Sequence, residues 1–333
     1  MFRAMSQNLP APVSGRVASR AYRVLIVATL ALVACAKDQP EPKATVGVVA
    51  RVDSVLPTDS VVVPVVAQWE ASNGSALYLP GEGGVAQVVL PPVMDDSVPR
   101  PDSAAIPAGV APASVDLFAP AGKLGTMTLG EYASTTQQAV GEACDAWATV
   151  PVREASGGTP APGWRLALQS GVAEPIASDS LGSLSRSDSA MLVVEINKAA
   201  SMLPLDSADV LRRVPFGVTK AYRLRFAGDV DAVIAVVERR LNSEAAPRVE
   251  RTVLVLERPP KVKRFSAVWR DTQYATEDDL VAVDLLAVVT FVGTGRPSVF
   301  LGQDFGDGSR VEMLQRSAGG IWSLRWSSAY TGC

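Results

Sequence analysis

The chain reads G-V-T-K-A-Y-R-L-R-F at residues 217–226 and V-D-A-V-I-A-V-V-E-R-R-L at residues 230–241. Both stretches are enriched in residues that favour strands, and only three residues separate them. Six further stretches of the same kind follow, at 248–258, 263–270, 279–291, 297–302, 309–316 and 320–327. Short polar connections between such stretches are typical of a long antiparallel meander.

The third stretch, 248–258, departs from the strict alternation of apolar and polar side chains. Val249, Thr252 and Val253 fall out of the two-residue period of a strand. A β-bulge adds one extra residue to a strand and so accounts for such a break in alternation. The sequence therefore predicts a β-bulge in this stretch.

Helices are predicted ahead of the meander. Residues 129–148 place apolar side chains near one stripe, which predicts a helix. Residues 185–203 predict a second helix, with Ser187 and Asp188 supplying N-terminal capping and favourable dipole chemistry and an apolar stripe at helical spacing. A short helical turn is predicted over 207–212. Helices followed by a run of strands indicate an α+β fold, with two or three helices packed on one sheet face.

The N-terminus carries the marks of an export signal. Residues 1–23 contain four arginines and no acid, and Val24–Ala34 is an apolar run. This run has 11 residues, too short for the roughly 20 that span a bilayer as a helix. A basic region, a short apolar region and small residues at the boundary predict a cleaved signal peptide. The basic region has no paired arginine, which favours the general secretory route.

The motif Leu32-Val33-Ala34-Cys35 ends the apolar run and resembles the bacterial lipobox. The resemblance implies cleavage before Cys35, thioether lipidation of its sulfur and acylation of the new amino terminus. Several acyl chains give a stable membrane anchor where one chain binds only marginally. Ala36 follows the cysteine, and the resemblance to the proteobacterial sorting pattern implies the outer membrane, facing the periplasm or the cell surface. The alternative is an ordinary signal peptide with Cys35 incidental.

The remaining cysteines, Cys144 and Cys333, are predicted to form one disulfide. Disulfides persist in the oxidising compartments that exported proteins reach. A bridge would also hold the C-terminal residue, which is otherwise expected to fray. The alternative is a buried free thiol at Cys144 and a free terminus.

The predicted organisation along the chain has five parts. They are a signal peptide (1–34), a lipidated tether (35–45), a short β-rich segment (46–90), a linker rich in Pro, Ala and Ser (91–116) and an α+β domain (117–333). Removal of the signal peptide takes away four arginines and no acids and changes the net charge from −3 to −7. The body is therefore acidic, which argues against nucleic-acid binding and leaves the lipid to provide the membrane attachment.

Several classes of chemistry are excluded by residue type. The chain has no histidine, so it cannot form a Ser-His-Asp or Cys-His catalytic group or a histidine-containing zinc site. Three cysteines cannot supply a four-cysteine metal or iron–sulfur site within one chain. The motifs G-x-S-x-G, Ser-x-x-Lys and Walker A are also absent from the sequence. No cofactor, metal site or catalytic residue is predicted.

Three aromatic residues near the C-terminus are candidates for a ligand-stacking surface. Trp322 and Trp326 lie four residues apart in one predicted strand and would therefore share a face, with Tyr330 beyond them. The alternative is that these rings pack in the core.

Four arginines flank a predicted hairpin and could form a basic stripe for an anionic partner. Three glutamates nearby make mutual ion pairing the alternative. The arginines are Arg239, Arg240, Arg248 and Arg251, and the acids are Glu238, Glu244 and Glu250.

The stretch Asp304–Gly308 (D-F-G-D-G) lies between two predicted strands. Its first three residues copy a kinase tripeptide, but a chain without histidine has no His-Arg-Asp loop. Asp307-Gly308 instead predicts a tight hairpin turn. Because the stretch holds two carboxylates, calcium binding is an alternative.

These observations predict a membrane-anchored exported lipoprotein that acts as a non-catalytic binding or envelope-assembly module. Its expected partners are the membrane, through the lipid, and an envelope protein. Two alternatives are a carrier that holds a small apolar ligand between helices and sheet, and a hydrolase that uses carboxylates alone.

Overall fold

The computed structural model describes the chain from Trp69 onward, with gaps. The described residues are 69–89, 114–130, 148–153, 161–203, 211, 213–241, 248–276, 279–328 and 330–332. All of them belong to one compact unit, Val62–Cys333. The predicted signal peptide, the tether and the three cysteines lie outside the described residues.

Six strands form a closed antiparallel barrel. They are β1 (Leu77–Pro80), β2 (Val85–Val89), β3 (Ser114–Ala119), β4 (Gly122–Leu129), β5 (Ala148–Arg153) and β6 (Leu166–Gln169). The order around the barrel is β1-β2-β5-β4-β3-β6, and β1 closes it by pairing with both β2 and β6. Alternate side chains such as Tyr78, Val115 and Met127 fill the interior. Burial there raises the pKa of Tyr78 to about 12.

Two antiparallel sheets contain the remaining strands. These are β7 (Ala173–Pro175), β8 (Ser178–Ser180), β9 (Gly217–Phe226), β10 (Val230–Leu241), β11 (Arg248–Arg258), β12 (Ser266–Ala275), β13 (Ala282–Phe291), β14 (Arg296–Asp304), β15 (Gly308–Arg316), β16 (Trp322–Ser327) and β17 (Thr331–Gly332). The helix-side sheet has the order β12-β11-β10-β9-β8. The central sheet has the order β16-β15-β14-β13-β7, and β17 also pairs with β15.

Helix α1 (Arg186–Ala200) lies within the predicted helix over 185–203. The cap is Ser185 and not the predicted Ser187, because the hydroxyl oxygen of Ser185 accepts a 3.1 Å hydrogen bond from the backbone N–H of Asp188. Leu192 and Ile196 are buried against the helix-side sheet. In the part of the chain that the structure describes, no helix is long and apolar enough to cross a membrane.

These elements stack in four layers. One cluster packs α1 against the helix-side sheet, a second lies between the two sheets, and a third packs the central sheet against the outside of the barrel. Both sheets are therefore covered on both faces. In β10, Val233 and Ala235 face the helix, whereas Ile234 and Val236 face the central sheet. Burial on both faces explains why this strand is apolar without alternation.

The predicted α+β fold is wrong. The chain is mostly β, with a closed barrel and two sheets, and α1 is its one α-helix among the described residues. The predicted helix at 129–148 begins on Leu129, the last residue of β4, and ends on Ala148, the first residue of β5. Residues 131–147 and most of the predicted turn at 207–212 lie outside the described residues. The two sheets pack on each other, and among the described residues α1 packs on the outer face of the helix-side sheet.

The bulge predicted within 248–258 is also wrong. Strand β11 pairs with β10 without interruption from Arg248 to Arg258. The register shifts between β11 and β12, where Val255 lies opposite Trp269 and Leu256 opposite Ala267, so the extra residue is Val268 in β12. The broken alternation of β11 reflects burial on both faces, as in β10.

Candidate functional site

Trp322 is a core residue between the two sheets. It is 4% exposed, and its ring packs on Phe226 with 5.5 Å between centroids. Its Nε1 donates a 2.7 Å hydrogen bond to Oε1 of Glu257. Arg316 donates to the same carboxylate through Nε and Nη2, at 2.7 and 2.9 Å. The side chain of Trp322 is thus held inside the protein by the charged carboxylate of Glu257.

Trp326 belongs to a different cluster, between the central sheet and the barrel. It is 1% exposed, and its ring lies against Trp69 with 5.0 Å between centroids. Trp69 is fixed in turn by a 2.7 Å hydrogen bond from its Nε1 to the carbonyl oxygen of Gly74. Trp322 and Trp326 therefore face opposite sides of the central sheet.

A bulge in β16 separates the two tryptophans. Leu324 lies opposite Leu314 of β15, and Trp326 lies opposite Met313, so Arg325 is an extra residue in β16. A shift of one residue exchanges the two faces of a strand for every residue beyond it. The expected shared face of Trp322 and Trp326 is therefore not formed.

Tyr330 lies at the hairpin between β14 and β15, apart from both tryptophans. Its hydroxyl donates a 2.6 Å hydrogen bond to Oδ1 of Asp307, and its ring meets Phe305 edge-on at 5.4 Å. The predicted hairpin turn is confirmed, since β14 ends at Asp304 and β15 begins at Gly308. Among the described residues, no three acidic or cysteine side chains are placed to hold a metal ion.

Three of the four arginines that flank the β10–β11 hairpin pair with acids, as the alternative to a basic stripe predicted. Arg239 and Glu250 are 3% and 4% exposed and are joined by a 2.6 Å hydrogen bond from Nε to Oε2. Arg239 also donates to the carbonyl oxygen of Leu211 at 2.9 Å and lies over the ring of Phe216, 4.6 Å from its centroid. The guanidinium group of Arg239 is thus buried and held by an acid, a backbone carbonyl and an aromatic ring.

Glu238 is the centre of a second ionic cluster on the other face of β10. Arg240 and Arg251 donate to it at 2.9 and 2.7 Å. Burial alone would raise the pKa of Glu238, but these two guanidinium groups outweigh burial and hold it below its usual range. Arg248 is exposed, and Glu244 lies outside the described residues.

Asp231 joins the helix-side sheet to α1. It accepts hydrogen bonds from Arg223 at 2.9 Å and from Arg258. Arg258 also pairs with Glu195 of the helix at 3.2 Å. The two arginines outweigh the effect of burial and lower the pKa of Asp231. The cluster around Asp231 and Arg258 is therefore a structural link between this sheet and α1.

Glu312, in β15, has a carboxyl group whose pKa is raised in the folded protein. Burial, followed by the negative charge of Asp271, raises the pKa of Glu312, while Arg310 and a hydrogen bond to Gln303 act in the opposite direction. Asp271 belongs to β12 and Glu312 to β15, so the two carboxyl groups come from different sheets. The pair places a readily protonated group beside β12, where the helix-side sheet ends.

Strand β12 is the last strand of the helix-side sheet among the described residues, where it pairs with β11. Every side chain from Trp269 to Ala275 is at least partly exposed, and Tyr274 is 48% exposed. We call the stretch Trp269–Ala275 the β12 surface. It is the candidate functional site of the described body.

The position of the β12 surface in the fold was not predicted from the sequence. The segment K-R-F-S-A-V-W-R at 263–270 was expected to be one strand of a continuous meander. The structure instead ends one sheet at β12 and starts the next at β13. The charges Arg270-Asp271 do not mark this position, because the interior strands β10 and β11 also contain adjacent opposite charges, at Glu238-Arg239 and Glu250-Arg251.

In comparisons with known proteins, no family model, no curated protein and no solved structure matched this chain.

Proposed function

We propose that the protein is an exported bacterial lipoprotein, anchored through Cys35, that acts as a non-catalytic binding or envelope-assembly module. The observation that carries this proposal is Leu32-Val33-Ala34-Cys35 at the end of an 11-residue apolar run preceded only by basic charge. The polar, proline-containing residues 36–45 would hold the folded body away from the membrane surface. We place the anchor in the outer membrane, facing the periplasm or the cell surface.

The geometry of the body supports binding through its surface. Its aromatic candidates, Trp322 and Trp326, are packed inside, and its buried arginines are paired with acids. The β12 surface presents a row of partly exposed polar and aromatic side chains, which supports binding of another molecule at the surface. Side chains of α1 such as Leu192 and Ile196 pack directly on the helix-side sheet, which supports surface binding over carriage of a ligand between helix and sheet.

Lipid attachment is tested by metabolic labelling with an alkyne fatty acid in cells that express the full chain. We expect label on the wild type and none on the Cys35→Ser variant. Cys144→Ser is the matched control and should keep the label, since it removes a cysteine outside the lipobox. Equal labelling of wild type and Cys35→Ser, or partition of the wild type into the aqueous phase of a detergent extract, would contradict the anchor.

The binding role is tested by cross-linking in native envelopes, followed by mass spectrometry of the products. We expect a defined envelope protein joined to the body of the chain. Labelled, anchored protein that yields no heterologous product with reagents of several lengths would contradict a binding or assembly role while leaving the anchor intact.

A further inference from the structure

Two hairpin connections lie side by side at one end of the two-sheet core. Arg316 and Trp322 flank the turn between β15 and β16, and both donate hydrogen bonds to Glu257. Glu257 stands two residues before the loop between β11 and β12, which spans 259–265. This loop and the turn at 317–321 are therefore neighbours, joined through one carboxylate. We call them together the hairpin end.

The hairpin end is positively charged. Lys261, Lys263 and Arg264 are exposed, and residues 258–270 contain no acid. Unlike most arginines of the sheets, none of these three takes part in an ion pair within the described part of the chain. One exposed acid, Asp229 in the turn between β9 and β10, lies at the same end of the helix-side sheet. Three cations therefore stand against one acid.

Each of the two connections also exposes an aliphatic side chain. Val262, between Lys261 and Lys263, is 50% exposed, and Ile321, at 70%, is the most exposed large apolar side chain among the described residues. The turn that carries Ile321 is well defined, because its carbonyl oxygen accepts a 2.8 Å hydrogen bond from the N–H of Ser317. Aliphatic side chains set among cations suit a surface that has anionic groups above an apolar interior.

The backbone holds Lys261 in a conformation that favours glycine. The N–H of Val262 donates a 3.1 Å hydrogen bond to the carbonyl oxygen of Pro259, which closes a four-residue turn with Lys261 at its third position. The φ angle of Lys261 is 69°, in the left-handed region where a lysine is uncommon. Pro259 and Pro260 stiffen this turn. Strain of this kind is typical of positions kept for function.

The opposite end of the same sheets carries more negative charge. Arg251 of β11 donates to the carbonyl oxygen of Val281, the residue before β13, so the two sheets also meet at that end. The exposed Arg248 starts β11 there. Three exposed acids lie after β12 and after or at the end of β14, namely Asp279, Asp304 and Asp307. A negatively charged surface would therefore orient the body with its hairpin end first.

We propose that the hairpin end docks the body on an anionic membrane surface. Lys261, Lys263 and Arg264 contact lipid phosphate groups, and Val262 and Ile321 enter the headgroup region. The proposal rests on the lipid anchor proposed above, which would hold the body within reach of a membrane. Each cation close to an anionic surface strengthens binding roughly fivefold, which orients a body that is already tethered. The acidity of the whole body does not prevent this, because attraction to a surface falls off within a Debye length of about 8 Å.

Docking is tested with the full, acylated chain inserted in vesicles of phosphatidylcholine, with or without phosphatidylglycerol. A fluorescent label on Val262→Cys reports membrane contact through quenching by spin-labelled lipid, and wild type treated in parallel gives the background of its own cysteines. We expect several-fold more quenching with phosphatidylglycerol, and loss of this excess at high salt, which screens the attraction. Thr276→Cys, exposed after β12 at the opposite end, is the matched control. A Val262→Cys label quenched no more than the Thr276→Cys label, or equally in both lipids, would overturn the proposal.

The role of charge is tested in the Val262→Cys chain. Lys263→Glu removes a cation and adds an acid, so we expect the docking equilibrium constant to fall roughly 5- to 25-fold. Arg248→Glu makes the same change of charge at the opposite end of β11 and should leave docking within about twofold of its starting value. Equal losses in the two variants would overturn docking through the hairpin end. A chain labelled by fatty acid at Cys35 but without lipid-specific contact at Val262 would contradict docking alone, so the two proposals fail separately.

Discussion

Arg239 and Glu250 form an ion pair inside the protein, with the guanidinium group held between the carboxylate and the ring of Phe216. Because both residues are 4% exposed or less, removing one side chain leaves the other charged and out of water. We expect Arg239→Ala to cost about 3–5 kcal/mol in the free energy of unfolding. Denaturant titration measures this change.

Arg240 provides the control for that prediction. Its side chain is 44% exposed, and its partner Glu238 also accepts from Arg251. We expect Arg240→Ala to cost about 1 kcal/mol or less. Equal losses in Arg239→Ala and Arg240→Ala would contradict the distinct roles of the two residues.

The two tryptophans of β16 should respond differently to substitution. Trp326→Ala removes a 1% exposed ring from the cluster around Trp69, and we expect a loss of about 3–5 kcal/mol. Trp322→Phe keeps a ring but loses the hydrogen bond to Glu257, for an expected loss of about 1.5–3 kcal/mol. Leu324→Ala, at an exposed position of the same strand, is the control and should change stability by less than either. Chemical unfolding of the three variants tests this order.

Glu312 should make stability depend on pH. Burial and the charge of Asp271 raise its pKa in the folded state, so folding favours the protonated carboxyl group. The stabilisation of the folded protein by protonated Glu312 is fully present below the pKa of this residue in the unfolded chain, about 4.3. It is lost as pH rises through the higher pKa of the folded state. We therefore expect Glu312→Gln to melt above the wild type at pH 7 and close to it at pH 4.

The control for Glu312 is Glu174→Gln, at an exposed position in β7. Its melting temperature should follow the wild type at both values of pH. A Glu312→Gln variant that is destabilised equally at pH 7 and pH 4 would show that the carboxyl group is retained for its hydrogen bonds and not disfavoured by its charge.

The disulfide between Cys144 and Cys333 stays a prediction. It would close a loop of about 190 residues, for which loop entropy sets an upper stabilisation of roughly 5 kcal/mol. We expect one cross-linked peptide pair in a non-reduced digest, and a lower melting temperature after reduction. Two alkylatable thiols in the unreduced protein would contradict the bridge.

The positions of the strands were predicted from the sequence more accurately than their arrangement into sheets. All eight predicted stretches from residue 217 onward overlap β9 to β16. Their division into two sheets was not predictable, because β10 and β13 are apolar on both faces. The sequence of such a strand has the same apolar pattern whether a helix or another sheet covers it. The barrel was not predicted for a related reason. Strands β1 and β6 have four residues each, too few to show the two-residue alternation of a strand.

The candidate site illustrates a second limit. Four-residue spacing places Trp322 and Trp326 on one face only if the strand is regular, and Arg325 breaks that regularity. Bulges depend on what lies on the neighbouring strand, here Met313 and Leu314, and single-strand patterns do not contain that information. The place of β12 at the end of its sheet is likewise a property of strand order and not of the composition of β12.

Barrel closure also constrains the order of folding. Leu77 pairs with Leu168, so the barrel cannot close until roughly 90 further residues have been synthesised. All six barrel strands then exist before β13 does, and the outward-facing Phe118 and Leu166 stay exposed until the central sheet covers them. A barrel that closes during synthesis is therefore a folded intermediate with apolar side chains on its surface.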